Sequence, residues 1–128
     1  MATERLQIYK CEVCGILAAV IEGGAGELVC CGQPMTLMVE KTEDKGSEKH
    51  VPVVEEKAGG VLVKVGEVPH PMEEKHYIMG IQVFSGQKMF CEFLKPGQAP
   101  QATFPVAKKD ICCVREICNI HGLWKAKL

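Results

Sequence analysis

Apolar positions along this chain come in short runs, some alternating with polar residues and none keeping the period of a long helix. Leu6-Gln7-Ile8-Tyr9 alternates as a short strand does and leads into Cys11-Glu12-Val13-Cys14-Gly15, where Gly15 suits the tight turn after the second cysteine. Gly23-Gly24-Ala25-Gly26 then marks a turn before Leu28-Val29-Cys30-Cys31, and Gly32-Gln33-Pro34 marks another. The polar stretch from Glu40 to Ser47 has the composition of a linker. Beyond it the pattern predicts strands over 51–57, 61–65, 77–84, 88–94, 102–106, 111–117 and 123–127, broken by Gly59-Gly60, Ser85-Gly86-Gln87 and Pro96-Gly97. Seven short strands over about 75 residues predict an antiparallel β-sandwich of immunoglobulin-like type.

The pattern therefore divides the chain into a first domain, residues 1–38, and a second, residues 39–128. A segment of fewer than about 40 residues buries too little apolar surface to fold unaided and needs a metal, disulfides or a partner. Cys11, Cys14, Cys30 and Cys31 lie within it, whereas all four histidines (His50, His70, His76 and His121) lie in the second. Four thiolates suit tetrahedral zinc or a single rubredoxin-like iron. Neighbouring Cα atoms are about 3.8 Å apart, below the roughly 4.4 Å lower limit for a disulfide, so Cys30 and Cys31 are not expected to pair. Bridges from them to Cys11 and Cys14 remain the alternative. Two adjacent ligands on one ion are expected to distort the tetrahedron.

Strand parity places the histidines. If each strand reverses on the one before, His50, His70, His76 and the Cys118-Asn119-Ile120-His121 loop all fall at one end of the sandwich. The flanking Pro69 and Pro71 restrict the backbone of His70. A lone histidine is more often a packing or surface residue, but four assigned to one place are hard to dismiss as separate accidents. Adding Cys118 gives a thiolate–imidazole set that suits iron, copper or zinc and excludes magnesium and calcium. Five protein donors leave one octahedral position for a small molecule. Glu-Lys-His occurs at 48–50 and again at 74–76. Glu74 and Lys75 read as solvated loop charges, while Glu48 and Lys49 are candidates for work beside the metal. Cys91, Cys112 and Cys113 lie in apolar runs and read as packing thiols where they face inward, and as oxidation-prone where they face outward. Trp124 reads as a packing residue near the site.

Charge and composition remove several classes of partner. Fifteen basic against sixteen acidic residues give a net charge of −1, and aromatics make up 5% of the chain, so neither a phosphate-binding surface nor a base-stacking platform is expected. No apolar stretch approaches the roughly 20 residues that span a bilayer, and the N-terminus lacks a signal-like apolar region. A soluble, cytoplasmic protein without membrane or nucleic-acid partners is the expectation. In that setting the cysteines read first as metal ligands.

Taken in order, Tyr9-Lys10-Cys11-Glu12-Val13-Cys14-Gly15, Leu28-Val29-Cys30-Cys31-Gly32, Glu48-Lys49-His50-Val51-Pro52-Val53, His70-Pro71-Met72-Glu73-Glu74-Lys75-His76-Tyr77-Ile78, Phe93-Leu94-Lys95-Pro96-Gly97 and Cys118-Asn119-Ile120-His121-Gly122-Leu123-Trp124-Lys125 span essentially the whole chain. Together they resemble the desulfoferrodoxin family, the two-iron superoxide reductases. The resemblance implies a mainly β protein with a small rubredoxin- or desulforedoxin-like domain ahead of the sandwich, and two iron ions. One iron would be held by Cys11, Cys14, Cys30 and Cys31. The other would have His50, His70, His76 and His121 in its equatorial plane and Cys118 on its axis. It further implies one-electron reduction of superoxide to hydrogen peroxide without dioxygen release, a detoxifying role under oxidative stress, a rubredoxin-type electron donor and a homodimer. Lys49 would attract the anion, and Glu48 would occupy the sixth position of the ferric state. The rival reading is a non-catalytic electron-transfer metalloprotein; a blue-copper version lacks a methionine after His121 to serve as axial ligand.

Overall fold

Short strands are stable only when a neighbour completes their hydrogen bonds and covers one face. The computed structural model describes residues 2–44 and 49–128. It meets this requirement in two units, Met1–Val39 and Glu40–Leu128. In the first unit, β1 (Ile8–Lys10), β2 (Leu17–Ala19), β3 (Val29–Cys30), β4 (Gln33–Pro34) and β5 (Thr36–Leu37) are all two or three residues long. They form a three-stranded antiparallel sheet ordered β2-β1-β5 and a small β3-β4 hairpin. Among the described residues of this unit, only Ile8, Tyr9 and Cys11 are buried hydrophobics. So small a core cannot hold the unit together, and the four-cysteine cluster must supply the rest.

The second unit contains β6 (Pro52–Lys57), β7 (Gly60–Val65), β8 (Ile78–Ser85), β9 (Lys88–Phe93), β10 (Gln101–Phe104), β11 (Cys113–Cys118) and β12 (Gly122–Lys127). They form two sheets, ordered β10-β7-β6 and β12-β11-β8-β9, with every pairing antiparallel. Alternate residues of these strands meet between the sheets: Val61, Val63 and Val65 of β7, Ala102 and Phe104 of β10, Ile81 and Val83 of β8, and Val114 of β11. This is the sandwich expected from the pattern, with strand ends shifted by a residue or two. One two-residue shift is at the start of β11. A 3-10 turn, Lys108–Asp110, delays the strand, so Cys112 lies outside it and is exposed rather than sitting within an apolar strand.

β8 is buried on nearly every residue because its outer face is covered as well. Arg115 of β11, only 2% exposed, donates from Nε and Nη2 to Gln82 Oε1 at 3.0 and 2.7 Å and lies 4.7 Å from the Phe84 ring. Its Nη1 donates to Glu40 Oε2 at 3.0 Å, and Lys125 Nζ donates to Glu40 Oε1 at 3.2 Å. The start of the expected linker is therefore docked. Lys41 N donates to Leu123 O at 2.9 Å and Lys125 N to Lys41 O at 2.8 Å, in a parallel bridge beside Trp124.

Burial alone would raise the Glu40 carboxyl, but the bonds and charges of Arg115 and Lys125 outweigh it and hold the group below its ordinary value. A depressed carboxylate stabilises the fold above its unfolded pKa and loses that contribution as pH falls through its folded one. Glu40→Gln is therefore expected to lower the urea midpoint at pH 7, and the gap from wild type is expected to narrow at pH 4. Emission from Trp124, the chain's one tryptophan, reports the second unit during the titration.

Candidate metal centres

In the first unit, Cys11 N donates to Ile16 O and Gly15 N donates to Cys11 O, both at 2.9 Å, closing a tight turn that needs the positive φ of Gly15, 86°. The turn aims Cys11 and Cys14 at Cys30 and Cys31, and the four sulfurs lie within 4.8 Å of one another. Cys14 Sγ is 3.7 Å from Cys30 Sγ, which is 3.9 Å from Cys31 Sγ. Metal–sulfur bonds of about 2.3 Å in a regular tetrahedron give edges of about 3.8 Å, so these separations fit one tetrahedral ion. All four cysteines are free, not bridged. The second of the two adjacent ligands, Cys31, has φ +52°, in the left-handed region that a side chain seldom adopts.

The thiols also resist sharing the space without a cation. The Cys14 N–H, 3.5 Å from Cys11 Sγ, leads the effects that bring Cys11 down to about 6, with burial opposing. Cys30 is pushed up to about 12 by the thiols of Cys11, Cys14 and Cys31, and Cys31 is raised as well, chiefly by Cys14. The Cys11 thiolate forms readily, whereas Cys30 and Cys31 need a positive ion in place of their protons.

In the second unit, β6, β8 and β12 begin, and β7 and β11 finish, next to the histidines. His50 precedes β6, His70 follows β7, His76 precedes β8, and the turn from Cys118 to His121 joins β11 to β12. The donor atoms of His50, His70, His76, Cys118 and His121 lie within 4.8 Å of one another. The imidazoles close a ring in the order His50, His70, His76, His121, with successive centroids 4.6, 4.8, 5.0 and 4.9 Å apart and planes steeply inclined. Four imidazoles around one ion at bonds of about 2.1 Å place neighbouring centroids roughly 4.6 Å apart and neighbouring nitrogens about 3.0 Å apart. His70 Nε2 and His50 Nε2 are 3.0 Å apart. Cys118 Sγ, 1% exposed and part of the core, approaches the ring from within, 3.6 Å from His70 Nε2 and 3.9 Å from His121 Nδ1. Imidazole and thiolate donors suit a transition metal.

Neighbouring residues fix each ligand. Pro71 O lies 2.7 Å from His70 Nδ1; a carbonyl only accepts, so Nδ1 carries the proton and Nε2 is left for the metal. Asp44 Oδ1 accepts from His50 N at 2.6 Å and Val51 N at 3.0 Å, and Trp124 stacks on the His50 ring at 4.6 Å and 10°. Asn119 ties the two ligand loops together: its Oδ1 accepts from Tyr77 N at 2.9 Å and its Nδ2 donates to Lys75 O at 3.0 Å, on either side of His76. His121 N donates to Cys118 Sγ at 3.4 Å. Of these supports, the Asp44 and Asn119 contacts had no signal in the sequence beyond residue types that favour turns.

Lys49 is half-buried, and Gly66 packs against it. At φ +91° a Cβ on Gly66 would come within 2.6 Å of Lys49 Cβ and 2.7 Å of its carbonyl carbon and oxygen. Glu48 lies outside the described residues. Cys113 is buried, whereas Cys91 and Cys112 are exposed; none of the three joins a metal cluster among the described residues. Burial leads the raising of both Cys91 and Cys113. Glu116, in register with Ile81 and Trp124, is fully buried and was not singled out by the sequence pattern.

Asn119→Ala frees both ligand loops at once. It is expected to weaken cobalt binding at the histidine–cysteine centre by roughly 10-fold or more. The four-cysteine centre should be unaffected, as read by chelator competition followed in each centre's thiolate absorption.

Known proteins share both units. The sequence pattern of the desulfoferrodoxin N-terminal domain matches residues 3–38, and that of desulfoferrodoxin matches residues 42–127. Desulfoferrodoxin of Desulfarculus baarsii is 58% identical over 124 residues, covering 97% of this chain and 98% of the relative. The superoxide reductase of Thermococcus kodakarensis is 36% identical over 103 residues, covering 66% of this chain and 90% of its own. Among solved structures, the superoxide reductase from Treponema pallidum superposes with a TM-score of 0.80 at 27% identity, covering 98% of this chain and 100% of that one. The four-cysteine and four-histidine–one-cysteine groups match two iron sites. With both family patterns matched and relatives aligned along nearly its whole length, the chain belongs to the desulfoferrodoxin family.

Proposed function

We propose that this protein is a superoxide reductase, catalysing O2•− + e− + 2H+ → H2O2 at the histidine–cysteine centre without releasing dioxygen. The observation that carries the reading is the closed ring of four imidazoles with Cys118 entering from the core. The relatives named superoxide reductase support it. Ferrous iron, when bound, supplies the electron and a Lewis-acidic position.

The chain's own residues do the rest. His50, His70, His76 and His121 hold the metal as neutral ligands. His76 and His121 are less buried than His50 and His70, so an anion from solvent would approach a bound metal on the side away from the core-facing Cys118. Cys118 donates electron density, moderated by the His121 N–H on its sulfur. Lys49, placed beside His50 by Gly66, attracts the anion; a local field of this kind raises an association rate by roughly 10 to 10³ where net charge is near zero. Glu48 would supply a carboxylate to the oxidised metal. Protons arrive through water. The four-cysteine centre holds an iron that either passes electrons or stabilises its unit, a rubredoxin-type protein restores the electron, and two copies form a homodimer. No helix among the described residues is long and apolar enough to cross a membrane, in keeping with a cytoplasmic site of action. The alternative, a non-catalytic electron carrier, predicts no fast reaction with superoxide.

Pulse-generated superoxide mixed with the reduced protein is expected to oxidise the ferrous centre rapidly. Lys49→Ala should slow the second-order step roughly tenfold or more and flatten its salt dependence. An unchanged rate in that variant removes Lys49 from the mechanism, and no fast oxidation in the wild type favours the electron carrier.

A further inference from the structure

One exposed cation is bound into the ligand ring from outside. Lys41 is fixed along its backbone by its bonds with Leu123 and Lys125, and the preceding Glu40 is locked by Arg115 and Lys125. From that anchored position Lys41 Nζ donates to the His121 carbonyl at 2.9 Å and lies 5.1 Å from the centre of the Trp124 ring. Trp124 Nε1 donates to the same carbonyl at 3.1 Å, and the Trp124 ring is the surface on which His50 stacks. The contacts form a closed circuit: Lys41 and Trp124 on one carbonyl, Trp124 on His50, and His50 beside His121 at 4.9 Å.

We propose that Lys41 is a positioning residue of the histidine–cysteine centre, holding two adjacent ligands, His50 and His121, through the Trp124 ring and the His121 carbonyl. His121 is then gripped at both ends of its backbone, its N–H on the Cys118 sulfur at 3.4 Å and its carbonyl under two donors. Any rotation of that residue alters the approach of its ring and the bond that tempers the thiolate. A cation is required because it serves two acceptors at once, a carbonyl lone pair and an aromatic face. Lysine or arginine meets that need, whereas methionine keeps only the apolar stem.

The inference rests on the five-donor metal reading and is independent of the identity of the substrate. The test uses cobalt(II) alone as probe and Trp124 emission as readout, which reports this centre because Trp124 is the only tryptophan and stacks on a ligand. Cobalt is expected to quench wild-type emission. In Lys41→Met the metal-free emission should shift to longer wavelength and the apparent cobalt affinity fall about tenfold, the lower end of the range for outer-shell partners. Lys41→Arg should restore affinity to within about threefold and return the emission towards wild type. A methionine variant with unchanged emission and an affinity within about twofold of wild type overturns the proposal, as does an arginine variant no better than methionine. A wild type that shows no cobalt quenching overturns the metal reading and this inference with it. The side chain is exposed, so the urea midpoint of the second unit should move little in either variant, which separates a local effect from misfolding.

Discussion

Five donor atoms converge within 4.8 Å, two imidazole nitrogens of them 3.0 Å apart, and one shared cation satisfies them all at once. The sandwich exists, in effect, to bring that set together from distant parts of the chain. Because each pair of neighbouring strands in the two sheets is antiparallel, residues before β6, β8 and β12 and after β7 and β11 share one end. Cys118 closes the set from the core side, where it is as buried as the valines of β7. A bound ion therefore adds to the stability of this end of the sandwich, because the donors it engages come from every strand that meets there.

The four-cysteine unit solves a different problem. Its strands are too short and its buried apolar set too small to hold a fold, so the ion acts there in place of a hydrophobic core. Four thiolates around a tetrahedral ion leave no position for a substrate, whereas four imidazoles in a ring with one thiolate leave one. The two centres thus differ in chemistry because they differ in what each unit lacks: cohesion in the first, a reactive position in the second.

Much of this was legible in the sequence where local patterning sets the outcome. Alternating runs and glycine turns specified all seven strands of the sandwich, and parity alone put His50, His70, His76, Cys118 and His121 at one end, where the structure gathers them. Legibility failed where a residue acts through the tertiary fold. Arg115 was unremarkable as one charge in a strand, yet it covers the outer face of β8 and anchors Glu40. Lys41 belonged to an apparent linker, but its backbone extends the sheet beside β12. Asp44, Gly66 and Asn119 contribute a hydrogen bond or a missing Cβ whose partner lies elsewhere in the fold. The start of β11 was placed too early because the apolar run begins at Ile111, directly after a 3-10 turn and two residues before the strand itself.

The central claim is that the ring reduces superoxide rather than dismutating it or merely carrying electrons. Product stoichiometry tests this most directly. With the reduced protein in excess over a known quantity of superoxide, peroxide and dissolved oxygen are measured together. Reduction yields one hydrogen peroxide per superoxide consumed and no new dioxygen. Half a peroxide per superoxide, accompanied by dioxygen, would contradict the account.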